Sequence, residues 1–147
     1  MKEDCFHLGI KAIIQNETGN ILLLKTNPDQ LRGYEGEGYW DIPGGRIHKD
    51  STIEETLRRE LKEETGITSI KTISPFKMVL SNIRIPMNDA GESVGLILSA
   101  HICTVDSAET ITLSHEHIAS QWFDPTEAAH LLEHIYPIEF TQAIRDL

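Results

Sequence analysis

Apolar and polar side chains alternate along the first part of the chain. Apolar residues occupy every second position from Phe6 to Ala12, and this spacing predicts a β-strand over residues 6–15. The sequence Asn-Glu-Thr-Gly-Asn at 16–20 is typical of a turn, and the apolar run over 21–25 predicts a second strand. Together the two segments predict a β-hairpin.

Turn residues separate the segments that follow. A loop is predicted over 27–38, where glycine and proline are frequent, and a short strand over 39–42 leads into Pro43-Gly44-Gly45. Asp124-Pro125 is typical of a helix N-terminus, and a last helix is predicted after Pro137. Further strands are predicted over 70–73, 76–80, 93–105 and 121–123. This order of elements predicts an α+β fold with a mixed sheet rather than a regular βαβ array.

The most regular helical pattern in the chain covers residues 52–65. Its N-terminus fits a capping box at two positions, because Glu54 lies three residues after Ser51 and Glu55 lies three residues after Thr52. Gly66 is the residue type expected just after the last helical turn. The sequence does not decide whether Ser51 or Thr52 caps the helix.

Charged and apolar side chains fall on different faces of this helix. Ile53, Leu57 and Leu61 form a stripe that is expected to face the core. An arc of about 140° beside that stripe holds Thr56, Arg59, Glu60, Glu63 and Glu64. Carboxylates this close to one another repel each other. Mg²⁺ commonly binds carboxylates together with substrate phosphates. A metal site and a solvated acidic face both fit this pattern.

Composition limits the classes of protein to which the chain can belong. Its 147 residues predict a single domain over 1–147, and 39% hydrophobic residues suffice for a core. The net charge of −10 disfavours broad nucleic-acid binding. The apolar run over 94–105 is too short to span a membrane, and no signal peptide is expected. Cys5 and Cys103 lie far apart in the sequence, so a disulfide framework is not expected. Free thiols are typical of the reducing cytosol, so we expect a cytoplasmic protein.

The segment from Gly45 to Ile67 resembles the signature of the Nudix hydrolase family, G-x5-E-x7-R-E-U-x-E-E-x-G-U, in which U is apolar. Gly45 matches the first glycine and residues 59–67 match the second half without a gap. The early glutamate of the signature falls on Ser51, and for Ser51 and its neighbour Asp50 we favour helix capping over a role at a metal. The resemblance implies an α/β/α sandwich in which Gly44, Gly45 and Gly66 are structural motif residues.

The same resemblance implies hydrolysis of a diphosphate linkage in a nucleotide or nucleoside diphosphate derivative, by water attack on phosphorus. It implies that Mg²⁺ or Mn²⁺ is bound by Glu60, Glu63 and Glu64. Glu116, in a loop six residues before Trp122, resembles a family residue that completes the metal site; the alternative is a surface acid. Glu116 and Glu60, in that order, are the candidate general bases, and Arg59 is expected to orient a carboxylate.

Other residues are candidates for substrate contacts. Arg46, Lys25 and Arg84 could meet a phosphate, although a solvated surface cation is the favoured interpretation of each. His115 could assist proton transfer, but an exposed loop histidine is favoured. Four aromatic residues could stack on a base, with core or loop packing favoured for each: Tyr34, Tyr39, Phe76 and Tyr136. Trp40 and Trp122 are expected in the core.

Two further functions stay open from the sequence. A catalytically silent Nudix-like module that binds a ligand or a protein is expected to have lost motif glutamates, whereas this chain keeps three. The isomerase branch of the same fold uses a catalytic cysteine, and neither cysteine lies near the motif. The expected partner is therefore a nucleotide or nucleotide conjugate, with no membrane and no broad nucleic-acid binding.

Overall fold

A computed structural model describes residues 1–31, Gly33 and 36–147, and it contains one large mixed sheet. The strands are β1 (Phe6–Gln15), β2 (Ile21–Thr26), β3 (Trp40–Asp41), β4 (Gly44–Arg46), β5 (Thr72–Leu80), β6 (Ile85–Pro86), β7 (Ser93–Thr104) and β8 (His117–Phe123). The helices are α1 (Ile53–Thr65), α2 (Pro125–Leu132) and α3 (Ile138–Arg145), with a short 3₁₀ turn at Pro28–Gln30. The strand β1 runs parallel to β7, and the other pairs are antiparallel. The predicted α+β fold with a mixed sheet is confirmed.

Strand pairing differs from the sequence prediction in two places. The predicted hairpin between β1 and β2 is joined in register only at Gln15 and Ile21, because β3 takes the same edge of β2 and β4 pairs with β1. The strand β8 pairs along the other edge of β2. The two strands predicted over 70–73 and 76–80 form the single strand β5, which has a register shift after Pro75. Since β5 lies at one end of the strand order, a proline there removes no central hydrogen bond.

Helices cover both faces of the sheet. Leu57 and Leu61 of α1 pack with one face of β1, while Phe140 of α3 packs on the opposite face together with residues of α2. These three layers confirm the α/β/α sandwich. The apolar stripe is only partly buried, because Ile53 is 37% exposed at the first position of α1. No helix in the described part of the chain has the length and apolar character that a membrane span requires.

The N-terminus of α1 is capped by Thr52. The Thr52 hydroxyl accepts from the Glu55 N–H, and the Glu55 carboxylate accepts from the Thr52 N–H. Capping by Asp50 or Ser51 is therefore wrong, because Asp50 lies in the preceding turn with φ 65° and the Ser51 N–H donates to the His48 carbonyl. At the other end, Gly66 adopts the left-handed conformation with φ 75°, as predicted.

Thr52→Ala is expected to lower the free energy of unfolding by about 1 kcal/mol, because it leaves a backbone N–H of the first helical turn without its acceptor. Ser51→Ala serves as the matched control and is expected to change stability by less than about 0.5 kcal/mol. Both variants should keep kcat within a few-fold of the unchanged protein. Urea unfolding and initial rates measure the two effects. A larger loss of stability for Ser51→Ala would contradict the assigned cap.

Candidate functional site

The backbone of Gly44 and Gly45 in β4 lies directly against two carboxylates of α1. The Gly44 N–H donates to Oε2 of Glu64 at 3.0 Å. A Cβ added to Gly45 would lie 2.5 Å from Oε1 of Glu60, so the absence of a side chain lets this carboxylate approach. At Gly44 a Cβ would lie 2.2 Å from the carbonyl oxygen of Ile10, so glycine also lets β4 pair closely with β1. The motif glycines thus position Glu60 and Glu64.

A second element brings further ligand atoms to the same place. One ligand atom each of Glu64, Glu116 and His117 lie within 4.8 Å of one another. The loop that carries Glu116 is held by Asn27, whose backbone N–H donates to the Glu116 carbonyl at 2.8 Å and whose side-chain amide donates to the His115 carbonyl at 3.0 Å. The start of β8 is thereby fixed against the end of β2.

The sequence did not single out His117 as a candidate ligand. Its Nδ1 atom is buried and has no hydrogen-bond partner among the described residues. Burial lowers the pKa of His117, although Glu116 and Asp41 act in the opposite direction, so the neutral ring can offer a lone pair to a metal. Two carboxylates and a neutral imidazole could therefore hold a divalent cation. The only signal in the sequence was the position of His117 beside Glu116.

Electrostatics at this cluster favour a bound cation. Burial raises the pKa of Glu64 to about 8, and the neighbouring charges of Glu60 and Glu116 add to the effect. The Gly44 N–H and the charge of Lys11 act in the opposite direction. A cation would offset the repulsion among the carboxylates and the cost of burying a charge at Glu64.

The remaining motif residues of α1 differ in exposure. Nη2 of Arg59 lies 3.2 Å from Oε1 of Glu60, an ion pair that fixes the direction of this carboxylate. Glu60 is half-buried and Glu63 is exposed, and both lie outside the group of ligand atoms that Glu64, Glu116 and His117 form. His115 is exposed and its side chain also lies outside that group.

The three cations predicted to contact phosphate lie in different surroundings. Arg46 and Arg84 line one cavity of about 370 Å³ that reaches Gly45. Arg84 is also paired with Asp4 at 2.8 Å, and its guanidinium donates to Ser93. The ammonium of Lys25 lies 5.9 Å from the centre of the Trp40 ring, and Lys25 is not among the lining residues of this cavity.

A smaller cavity of about 160 Å³ adjoins this one. The two cavities share Lys11, Leu96 and Leu98, so they form one cleft that starts at Gly45 and ends between α2 and α3. The smaller cavity is lined in addition by Tyr39, Asp41, Ser81, Ile83, Ile135 and Tyr136. Lys11 was not a sequence candidate, yet it lies where the cavities meet.

Two of the four candidate stacking residues line the cleft. The buried Tyr136 donates its hydroxyl to Oδ1 of Asp41 at 2.5 Å, and Tyr39 lies on the same wall. Phe76 packs edge-on against Phe140 and belongs to the core side of the sheet. Tyr34 lies outside the described residues. Both tryptophans, Trp40 and Trp122, are half-buried against the two hydrophobic clusters.

Comparison with known proteins agrees with this geometry. A model of the NUDIX domain matches residues 6–144. The CTP pyrophosphohydrolase of Escherichia coli (strain K12) is 33% identical over 119 residues, which are 81% of this chain and 76% of that protein. The structure of a MutT protein from Methanosarcina mazei Go1 is 26% identical, with a TM-score of 0.66 over 99% of this chain and 95% of that chain.

A second solved structure shows the same fold. The E. coli dihydroneopterin triphosphate pyrophosphohydrolase is 21% identical, with a TM-score of 0.69 over 95% of this chain and 93% of that chain. The family model spans nearly the whole chain, and the E. coli CTP pyrophosphohydrolase matches 81% of this chain. The chain therefore belongs to the NUDIX domain family, and it is a pyrophosphohydrolase of that family.

Proposed function

We propose that this protein hydrolyses the diphosphate linkage of a nucleotide or nucleoside diphosphate derivative, with Mg²⁺ or Mn²⁺ as cofactor. The observation that carries the proposal is the convergence of Glu64, Glu116 and His117 near Gly44, beside a cleft with cationic walls. The buried Nδ1 atom of His117 has no hydrogen-bond partner among the described residues. The residues assigned to the metal are Glu60, Glu63, Glu64, Glu116 and His117. Of these, Glu60 and Glu63 lie outside the group of ligand atoms formed by the other three.

Each side chain has a separate task in the proposed reaction. A divalent cation bound here supplies polarisation of the phosphoryl oxygens and a lower pKa of bound water. Glu64 accepts from the Gly44 N–H and is buried, so we assign it to metal binding rather than to proton transfer. One carboxylate accepts the proton of the attacking water. The first candidate is Glu116 on the exposed loop, and the second is Glu60, oriented by Arg59.

The cleft accounts for the rest of the substrate. We assign Arg46 and Arg84, which line the larger cavity next to Gly45, to the phosphate chain. The smaller cavity combines aromatic walls at Tyr39 and Tyr136 with a carboxylate at Asp41, a combination that suits a planar base with an N–H at its edge. We place the nucleoside in this second cavity. The CTP pyrophosphohydrolase relative makes nucleoside triphosphates the first substrates to assay.

The function is tested by assaying nucleoside triphosphates, nucleoside diphosphate sugars and dinucleoside polyphosphates for released phosphate or diphosphate. We expect turnover with Mg²⁺ or Mn²⁺ on at least one class, complete loss with excess EDTA, and recovery when the metal is restored in excess of the chelator. Ca²⁺, which accepts looser and larger coordination shells than Mg²⁺, serves as the control ion and should support much less activity.

Two outcomes would contradict the proposal. Full turnover in excess EDTA would show that hydrolysis does not need the metal. Nucleotide binding in Mg²⁺ without turnover on any class of the panel would favour the silent binding module instead.

A further inference from the structure

Lys11 lies at the centre of the sheet, directly opposite the motif glycines. It pairs with Gly44 in the register of β1 and β4. A Cβ on Gly44 would lie 2.7 Å from Cδ of Lys11, so the lysine side chain passes over the glycine backbone where any other residue would collide with it. The ammonium group is thereby brought near the carboxylate cluster from a strand that the family signature does not include.

The ammonium of Lys11 has hydrogen-bonding capacity to spare. It donates one bond, of 3.3 Å, to the carbonyl oxygen of Ile42. The nearest carboxylate oxygen, Oδ2 of Asp41, is 3.8 Å away, which is beyond a hydrogen bond. Oδ1 of Asp41 already accepts from Tyr136 and from the Ile42 N–H. An ammonium has three N–H donors, and the described residues give it one hydrogen-bond acceptor, besides the ion pair with Asp41 and the Tyr136 ring at 6.0 Å.

The ammonium of Lys11 is accessible from the cleft, where a substrate would bind. Lys11 lines both cavities of the cleft, and its side chain is 19% exposed, so the ammonium reaches the cleft without being free in solvent. Its charge lowers the pKa of both Glu64 and His117, although burial has the larger effect on each group. A phosphate bound at the carboxylate cluster would therefore lie within the field of Lys11.

We propose that Lys11 is a substrate-binding residue that donates to the oxygens of the diphosphate, at the junction between the metal site and the nucleoside cavity. The inference rests on the proposed function, since it assigns the diphosphate of that substrate to this point. A diphosphate bound there would lie on the opposite side of Lys11 from the Asp41 carboxylate, and the ammonium would offset the repulsion between the two anions. Arg46 and Arg84 lie further along the larger cavity, while Lys11 alone among these three also lines the smaller one.

The test is the affinity for inorganic diphosphate in the presence of Mg²⁺, measured by calorimetry on the intact protein. Lys11→Met removes the charge and keeps most of the apolar stem, and it is expected to weaken binding about tenfold or more. Lys71→Met is the matched control, because Lys71 is exposed beside β5, lines a different cavity and changes the net charge equally. It should stay within about twofold. Lys11→Arg should recover part of the loss.

A second readout separates substrate binding from a structural role. If Lys11 merely held the Ile42 carbonyl and Asp41, Lys11→Met would lower the melting temperature and leave the diphosphate affinity unchanged, which would overturn the inference. Lack of diphosphate binding by the unchanged protein would overturn it as well. We expect KM for the best substrate of the panel to rise in Lys11→Met along with the loss of diphosphate affinity.

The outcomes also keep this inference apart from the proposed function. A wild-type protein that turns over substrate, with Lys11→Met and Lys71→Met indistinguishable in diphosphate affinity, would contradict the role of Lys11 alone. A wild-type protein without turnover on any substrate, but with diphosphate binding that depends on Lys11, would contradict the enzymatic proposal and leave the binding site in place.

Discussion

Glu64→Gln is expected to reduce kcat by about a hundredfold or more while making the metal-free protein more stable at alkaline pH. The amide keeps the size of the side chain and can still accept the Gly44 N–H bond, so the fold should survive. It removes the charge of the most buried carboxylate of the cluster, which is 7% exposed. A loss of a few kcal/mol of transition-state stabilisation corresponds to about a hundredfold in rate.

The stability effect has a definite pH dependence. Burial raises the pKa of Glu64 from 4.5 to about 8 in the folded protein, so the folded state holds this proton more tightly than the unfolded chain does. The unchanged protein is accordingly most stable, with respect to this group, below pH 4.5, and it loses stability as the pH rises toward 8. Each pKa unit is worth about 1.4 kcal/mol, so the loss amounts to a few kcal/mol. The amide introduced by Glu64→Gln does not titrate, so this variant should escape that loss.

The measurement is urea unfolding in the presence of a chelator at pH 5 and pH 8.5, together with initial rates in Mg²⁺. Glu54→Gln is the matched control on the same helix, since Glu54 is exposed and forms an ion pair with Arg58 across one turn. It should leave kcat and the pH dependence of stability nearly unchanged. Wild-type turnover in Glu64→Gln, or equal stabilisation of this variant at both pH values, would contradict the assigned environment of Glu64.

Gly45→Ala is expected to lower kcat by about a hundredfold without unfolding the protein. The new Cβ would lie 2.5 Å from Oε1 and 2.7 Å from Cδ of Glu60, so the carboxylate must move. The end of a glutamate side chain moves easily, and the stability cost should therefore be small. A catalytic carboxylate displaced by about 1 Å can nevertheless reduce the rate by two orders of magnitude.

Gly91→Ala is the control, because it is expected to lower stability without lowering kcat. Gly91 has a φ of 83° and nothing within 4 Å of an added Cβ, so alanine there is strained but meets no neighbour. Stability should fall by roughly 1 kcal/mol, whereas kcat should stay near that of the unchanged protein. Melting curves and initial rates for both variants decide the matter. A Gly45→Ala protein with unaltered kcat would show that the position of Glu60 does not limit the reaction.

Local sequence patterns determined most of the elements that carry the site. The helix α1 ends at Gly66 as predicted, and Asp124 caps α2 as predicted, because a cap depends only on residues within one turn. Helical periodicity likewise predicted that Glu60 and Glu64 share one face, since side chains four positions apart in a helix lie one above the other. The choice between Ser51 and Thr52 as cap depended on where the preceding turn ended, and the sequence left it open.

Residues of other elements join that face through the tertiary structure, and of these Glu116 was a candidate from the sequence through the family resemblance, whereas His117 and Lys11 were not. Glu116 and His117 reach Glu64 only because β8 pairs with β2, and Lys11 reaches the motif only because β1 pairs with β4 at Gly44. The hydrogen bond between Tyr136 and Asp41 spans 95 residues of sequence. Spacing rules relate residues a few positions apart, whereas strand order and register depend on the packing of the whole sheet. The sequence therefore determined the carboxylates of the helix, and the sheet determined the cleft beside them.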